Sequence, residues 1–381
     1  MNKRIYLDYA AATPLEPAVA QAMHAAEKIY ANPSAQYASA REANNLLASA
    51  RKRIAMFFGA KSEEITFTSG ASEANNLAIF GTARTFDRGH VISIATEHMS
   101  VREPLNQLGQ EGFDIDLCPV DSNGRIKLVE FEKLLNYDTV RVTFNMASSE
   151  IGTIQPIAKL AKIIRNHEES NGTKIIFHTD ASAAVQTLNC DVSRLGVDLM
   201  TISGAKIYGP KSAGALYVKR GTKLKPIIWG GHQESGLRSG SESLPLIVGL
   251  TQALEIVASR RKLDNEKYRE LYVNLIHSLS GVHNLKENGH PKDRLYSLVN
   301  LSLASVNGED LVAYLDAAGF EVATGAACEA NSHQPSQVLL AIGRSIDEAQ
   351  GSLRISFGRN TTHKDIDQFC ESLINTLSAL K

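Results

Sequence analysis

The chain carries almost no net charge, with 40 lysines and arginines against 41 aspartates and glutamates over 381 residues. Without a dominant sign, neither a nucleic acid nor a membrane surface is indicated as its main partner. Cysteine is sparse: Cys118, Cys190, Cys328 and Cys370 are widely spaced and form no CxxC pair. That spacing speaks against a disulfide frame or a zinc site and fits a reducing compartment. Long hydrophobic runs are also missing. The N-terminus, Met1-Asn-Lys-Arg-Ile-Tyr-Leu-Asp8, lacks the apolar stretch of a signal peptide, and no later run approaches a membrane span. The expectation is a cytoplasmic protein with no metal, no membrane contact and no direct nucleic-acid binding. Repeats and low-complexity tracts are absent too.

What the chain does have is 43% hydrophobic residues, enough for one large core or two domains. Short β-rich runs, such as Glu64-Ile-Thr-Phe-Thr68, Val91-Ile-Ser-Ile-Ala95, Val140-Arg-Val-Thr-Phe144 and Lys174-Ile-Ile-Phe177, alternate with longer amphipathic stretches. Such alternation predicts βαβ units and an α/β fold with a mostly parallel sheet covered on both faces. From Ser241 to about Leu279, apolar positions including Leu250, Leu254, Val257, Leu271 and Leu275 predict one or two long helices bridging domains. Strands at Val299-Asn-Leu-Ser-Leu303 and Leu353-Arg-Ile-Ser-Phe357, with helices over 308–318 and 362–380, predict a smaller α+β domain after it.

Lys206 closes Ser203-Gly-Ala-Lys206, directly after the apolar run Val197-Asp-Leu-Met-Thr-Ile202. An amine held at the end of a buried strand is poorly solvated, so it is more easily deprotonated and can form a Schiff base. A second apolar strand ends in the carboxylate of Asp180. A lysine for an aldehyde and an acid for a ring nitrogen are the pair that an electron-sink cofactor such as pyridoxal phosphate requires. Thr68-Ser-Gly-Ala-Ser-Glu-Ala-Asn-Asn76 joins a strand to a helix through small, hydroxyl-bearing residues. This is either an ordinary N-cap or a phosphate site made of open backbone N–H groups and the helix dipole. His98 follows another strand. Alone it reads as a packed core histidine; beside Ser72, Asp180 and Lys206, all at strand ends, it is placed to stack on an aromatic cofactor or to move a proton.

The segment Ala323-Thr-Gly-Ala-Ala-Cys328-Glu-Ala-Asn-Ser-His-Gln-Pro335 consists of small and turn-forming residues, which suits a surface loop. No large apolar residue surrounds Cys328, so an exposed, reactive thiolate is predicted there. Cys118 and Cys370 fit buried core positions, and Cys190 fits either.

Further pieces run from end to end: Tyr6-Leu-Asp-Tyr-Ala-Ala-Ala-Thr-Pro14, Asn32-Pro-Ser34, Thr96-Glu-His98, Ser149-Glu-Ile-Gly152, Gly230-Gly-His-Gln-Glu-Ser-Gly-Leu-Arg238 and Arg354-Ile-Ser-Phe-Gly-Arg359. In this order and spacing the chain resembles the cysteine desulfurases, of the class V aminotransferase group of fold-type I pyridoxal-phosphate enzymes. The wide gap between Cys328 and Pro335 resembles their long-loop subgroup. The resemblance implies a homodimer with a large domain at 15–255 and a small domain built from 1–14 and 256–381. It implies conversion of L-cysteine to L-alanine with pyridoxal 5'-phosphate, Cys328 taking the sulfur as a persulfide for an acceptor protein. Lys206 would hold the cofactor's aldehyde and move the substrate's Cα proton, Asp180 would pair with the ring nitrogen, and His98 would stack on the ring. Ala71, Ser72 and Ser203 would bind the phosphate, and Ser241 would reach it across the dimer interface. Asn32 and Arg354 would hold the substrate carboxylate, Arg354 through a bidentate fork.

Departures from the family cluster at the same place. Ala205 stands where the family usually has histidine, and Ser149 and Ala183 where it has asparagine and glutamine near the ring's phenolic oxygen; Tyr37 replaces the histidine of Asn-Pro-Ser-x-x-His. Ser149 keeps a hydrogen-bonding group for that oxygen, and Ala183 does not. Two other functions use the same residues: a degenerate homologue serving as scaffold or regulator, and a pyridoxal-phosphate lyase or aminotransferase acting on another amino acid. The acceptor stays open among an iron–sulfur scaffold, a tRNA-thiolation relay and a DNA sulfur-modification system. The short stretch after the last helix inclines the expectation toward a specialised pathway.

Overall fold

A computed structural model of the protein describes residues 4–325 and 334–379. After a short strand β1 (Ile5–Tyr6), the chain builds a seven-stranded sheet from β2 (Ile65–Thr68), β3 (His90–Ile94), β4 (Asp114–Cys118), β5 (Thr139–Asn145), β6 (Ile176–Asp180), β7 (Leu199–Ser203) and β8 (Gly214–Val218). Its order is β2-β8-β7-β6-β5-β3-β4, and β8 alone runs against the others. This is the mostly parallel sheet that the alternating sequence predicts. Parallel neighbours require crossovers, and the crossover helices cover both faces, so β3, β6 and β7 are buried along their whole length. From β3 the chain steps outward to β4 and then returns to the other side of β3 as β5. Ligands of open α/β sheets bind outside the carboxyl ends of the strands at such a reversal.

The remaining strands are β9 (Leu285–Asn288), β10 (Leu298–Leu303), β11 (Phe320–Glu321), β12 (Ala323–Thr324) and β13 (Ser352–Ser356). The first two join β12 and β13 in an antiparallel sheet ordered β12-β13-β10-β9, while β11 pairs in parallel with β1. The largest apolar cluster, around Phe131, Phe144 and Phe177, packs on the seven-stranded sheet beside two smaller ones, and a second large one, around Leu7, Leu301 and Phe369, packs on the small antiparallel sheet. One 35-residue helix, Leu244–Ser278, serves both. It puts Leu250, Leu254 and Val257 into the first cluster and Tyr268, Leu271 and Leu275 into the second. The charged stretch between these groups does not break the helix, because its buried Asp264 pairs with Arg260 at 3.3 Å and with Arg359 at 2.9 Å.

The N-terminal segment ties the two sheets together. Ala10 N–H donates to Ser356 Oγ at 2.8 Å, and Thr13 N–H donates to the Ala205 carbonyl at 2.9 Å. Residues 8–13 therefore lie between β13 and the turn that follows β7.

Candidate active site

A cavity of about 390 Å³ opens at the carboxyl ends of β2, β3, β5, β6 and β7, within the size range of small-molecule sites. Its first wall is the start of the helix Ala71–Ala83. Gly70 caps this helix with φ +141°, a backbone conformation that disfavours a side chain, and no side chain caps the end. Helix-start N–H groups left without a side-chain cap are ready to receive an anion. Ala71 and Ser72 line the cavity from this end, and Ser203 closes it from the end of β7. The loop is held close to the sheet: a Cβ on Gly214 would lie 2.6 Å from Gly70 Cα. Glu73, on the same first turn, accepts from Ser69 N–H at 2.8 Å and from Arg238 Nε at 2.9 Å. Burial disfavours its charge, yet the bonds from Arg238 and Ser69 outweigh that and hold its carboxyl below the usual range.

Lys206 ends the 3₁₀ turn Gly204–Lys206 that follows β7. Its Nζ donates to the carbonyls of Ala10 and Ala11, both at 2.6 Å. The N-terminal segment thus orients the amine inside the cavity. Asp180, the last residue of β6, is 8% exposed and accepts from Asn75 Nδ2 and from Ser182 N–H, each at 2.8 Å. His98 caps the helix Met99–Gln110, its Nδ1 accepting from Ser100 N–H at 3.1 Å. Burial first, and then Lys206 and Arg354, push the imidazole's proton affinity down, while Asp180 pulls the other way; the net direction is down. Next to it, Glu97 accepts from Asn145 N–H, and burial followed by the charge of Asp180 raises its carboxyl well above the usual range.

Arg354 enters from β13, 3% exposed, and donates to Asp8 Oδ1 at 2.9 Å and to the Ser149 carbonyl at 3.4 Å. Ser149 and Ala183 line the main cavity and also an adjoining space of about 40 Å³ reached by Gln186, Tyr9 and Lys206. Ala205 faces the cavity with only a methyl group, while its carbonyl receives Thr13.

The cavity therefore brings together Lys206, Asp180, His98 and Arg354 with Ala71, Ser72, Ser149 and Ser203. It does not include Asn32, which is exposed and accepts from Ser34 N–H at 2.9 Å, nor Ser241, which is exposed in the segment before the long helix. Tyr37 is 57% exposed and precedes the helix Ala38–Phe58. Cys328 lies outside the described residues. The described ends of its segment are both tied to the site: Ala323 pairs with Arg354, and Ser336 donates to Glu150, the neighbour of Ser149, at 2.6 Å. Cys118, Cys190 and Cys370 are buried, and burial pushes each thiol up to about 12.

Several participants are not singled out individually by the sequence. Asn75, Ser100 and Asp8 sit inside quoted or neighbouring motifs, yet their partners are distant in the chain. Asn75 had one readable hint, since it follows Ala71 by four residues and so shares its helix face. Ser182 Oγ and Asn145 Oδ1, both of residues lining the cavity, are buried and have no hydrogen-bond partner among the described residues.

The family model described as aminotransferase class-V matches residues 5–369. Cysteine desulfurase IscS 1 of Archaeoglobus fulgidus is 39% identical over 99% of this chain and 97% of its own length. Among solved structures, a NifS-like protein superposes with a TM-score of 0.92 at 31% identity, covering 99% of this chain and all of the other. A structure of SspA in complex with cysteine gives a TM-score of 0.81 at 35% identity, over 93% of this chain and 98% of that one. Among the described residues, no helix is long and apolar enough to cross a membrane.

Proposed function

Because the chain belongs to the aminotransferase class-V family, whose members use pyridoxal phosphate, we propose that it is a pyridoxal-phosphate-dependent cysteine desulfurase. It converts L-cysteine to L-alanine and leaves the sulfur as a persulfide on Cys328. The observation that carries this proposal is the convergence of an amine, a carboxylate, an imidazole and an open helix start on one cavity.

The chain's groups fit the cofactor part by part. The N–H groups of Ala71 and Ser72 at the helix start, with the Ser203 hydroxyl, suit a phosphate. Asp180 suits a protonated ring nitrogen, His98 a ring face, and Lys206 an aldehyde. Ser149 is the remaining donor for a phenolic oxygen, and the unpartnered Ser182 Oγ and Asn145 Oδ1 offer further polar contacts. When bound, pyridoxal phosphate supplies an electron sink that acidifies the Cα–H of an amino acid.

The protein's own share of the reaction follows from these positions. Arg354 receives the substrate carboxylate, and the Asp8 contact holds its guanidinium in place. Lys206 would take the Cα proton; the carbonyls of Ala10 and Ala11 hold the amine on course. The Cys328 thiolate then forms a bond to the substrate's sulfur as the bond from that sulfur to Cβ breaks. The electron pair of the broken bond stays with Cβ, which takes up a proton, and Lys206 returns a proton to Cα to complete alanine, while both sulfurs remain on the enzyme as a persulfide. Sulfur passes from there to an acceptor protein by the same thiol exchange chemistry. Asn32 completes the carboxylate site, and Ser241, exposed and outside the cavity of its own chain, contributes its hydroxyl to the phosphate of a second subunit. A homodimer follows, with residues 15–255 as the cofactor-holding domain and 1–14 with 256–381 as the small domain.

Purified protein loaded with pyridoxal phosphate is expected to be yellow and to release alanine and sulfide in equal amounts from L-cysteine with a dithiol. Cys328→Ser should keep the colour and lose the persulfide. A colourless protein, or a yellow one that yields no sulfide, contradicts the proposal; a serine variant that still desulfurates cysteine contradicts the assigned nucleophile.

A further inference from the structure

Four side chains from three separate elements form an unbroken hydrogen-bond chain behind the cavity. Asn75 Nδ2 donates to Asp180 Oδ2 at 2.8 Å and also to Ser100 Oγ at 2.8 Å. Ser100 Oγ lies 2.8 Å from His98 Nδ1, and the Ser100 N–H donates to that same nitrogen at 3.1 Å. The direction of each bond is fixed by elimination. Turning the Asn75 amide over would set its oxygen against the Asp180 carboxylate, so the NH₂ group faces both Asp180 and Ser100. The Ser100 N–H donates to His98 Nδ1, so that nitrogen carries no proton, and the Ser100 hydroxyl, which accepts from Asn75, must give its single proton to it. With two donors aimed at Nδ1, the ring's own proton sits on Nε2.

We propose that Asn75 and Ser100 are positioning residues that lock His98 as the neutral Nε2–H tautomer and hold its ring plane relative to Asp180. The chain of bonds stands on the protein's own residues. Its consequence for catalysis, a fixed neutral imidazole facing the cofactor ring, rests on the function proposed above. The lock works through direction of donation. Protonating Nδ1 requires breaking the bonds from both the hydroxyl and the N–H of Ser100, so the imidazole stays neutral even with a carboxylate nearby. The charged groups that face His98 are Asp180 at the end of β6, Lys206 after β7 and Arg354 on β13, with Glu97 preceding it in the chain. Among the described residues, the donors placed at Nδ1 are the hydroxyl and the N–H of Ser100.

The test is long-range nitrogen–proton NMR on histidine-labelled protein without added cofactor, His98 being assigned by its disappearance in His98→Gln. Wild type is expected to show a protonated Nε2 and an unprotonated Nδ1 throughout the neutral range. In Ser100→Ala the hydroxyl donor is gone, and the His98 midpoint is expected to rise by up to about one pH unit, the equivalent of one hydrogen bond. Ser100→Thr keeps the hydroxyl and should restore the wild-type titration, which separates loss of the bond from general damage to the helix start. Asn75→Ala, whose loss frees the Ser100 hydroxyl to turn, should mix the two tautomers. A wild-type ring protonated on Nδ1, or a Ser100→Ala variant with unchanged tautomer and midpoint, overturns the proposal. These outcomes do not depend on cofactor uptake, so failure to bind pyridoxal phosphate would contradict the proposed function alone.

Discussion

Within the cavity, the smallest side chains are as informative as the charged ones. Ala183 borders both the main cavity and the adjoining 40 Å³ space, where the family resemblance calls for an amide. Ala183→Gln should therefore add a donor without displacing a packed group. One recovered hydrogen bond, about 0.5–1.5 kcal/mol, predicts pyridoxal-phosphate binding about two- to tenfold tighter in an equilibrium titration. His98 carries a pH signature as well. Its folded-state proton affinity lies below the ordinary 6.5, so the unfolded chain takes up a proton first as pH falls. The stability associated with the neutral imidazole is present above that value and is lost as pH drops below it. Denaturant unfolding at pH 7.5 and 5.5 is expected to show wild type losing more stability over that interval than His98→Gln. An equal loss in both proteins would contradict burial of a neutral ring.

At the scale of elements, the site depends on strands ending together and on loops seated tightly against them. Gly214 begins β8 against Gly70, with only 2.6 Å available to a Cβ before backbone is met. Gly214→Ala must push the Gly70 loop outward. A destabilisation of about 1–3 kcal/mol is expected for such overpacking, together with weaker phosphate binding, measurable by thermal unfolding and cofactor titration. Lys206, Asp180 and His98 were legible in sequence because each follows an apolar run, and a parallel sheet sends all such ends to one edge. The position of β8 between β7 and β2, running against both, was not legible, because an antiparallel insertion leaves no mark on apolar alternation. Nor was the Asp180, Asn75, Ser100 and His98 chain of bonds. Asn75 and Asp180 are 105 residues apart in sequence, and a polar residue inside a helix gives no sign of which strand end it will reach. Asp8 was visible within a motif, but its pairing with Arg354 spans 346 residues and requires the N-terminal segment to cross from one sheet to the other.

For the whole molecule, three of the four cysteines are accounted for by the cores. Cys118, Cys190 and Cys370 are enclosed by the two cores and carry thiols pushed up to about 12, so at pH 8 they stay protonated and unreactive. Native protein treated with a thiol-specific alkylating reagent at that pH should take up one equivalent, on the peptide containing Cys328. Labelling of the three buried cysteines at comparable rates would contradict the assignment of the reactive sulfur. The two cores are joined by one continuous helix, by residues 8–13 and by bonds such as Leu295 N–H to the Gly152 carbonyl, so the small sheet that carries Arg354 is held against the cavity. The Lys206 amine, anchored by two carbonyls of that same N-terminal segment, is where these connections meet the chemistry.

The most direct measurement is therefore peptide mapping by mass spectrometry after the protein is incubated with pyridoxal phosphate and reduced with borohydride. The cofactor mass is expected on the single peptide that contains Lys206, and it should disappear in Lys206→Ala. No fixed cofactor in the wild-type protein, or fixation on a different lysine, would contradict the account.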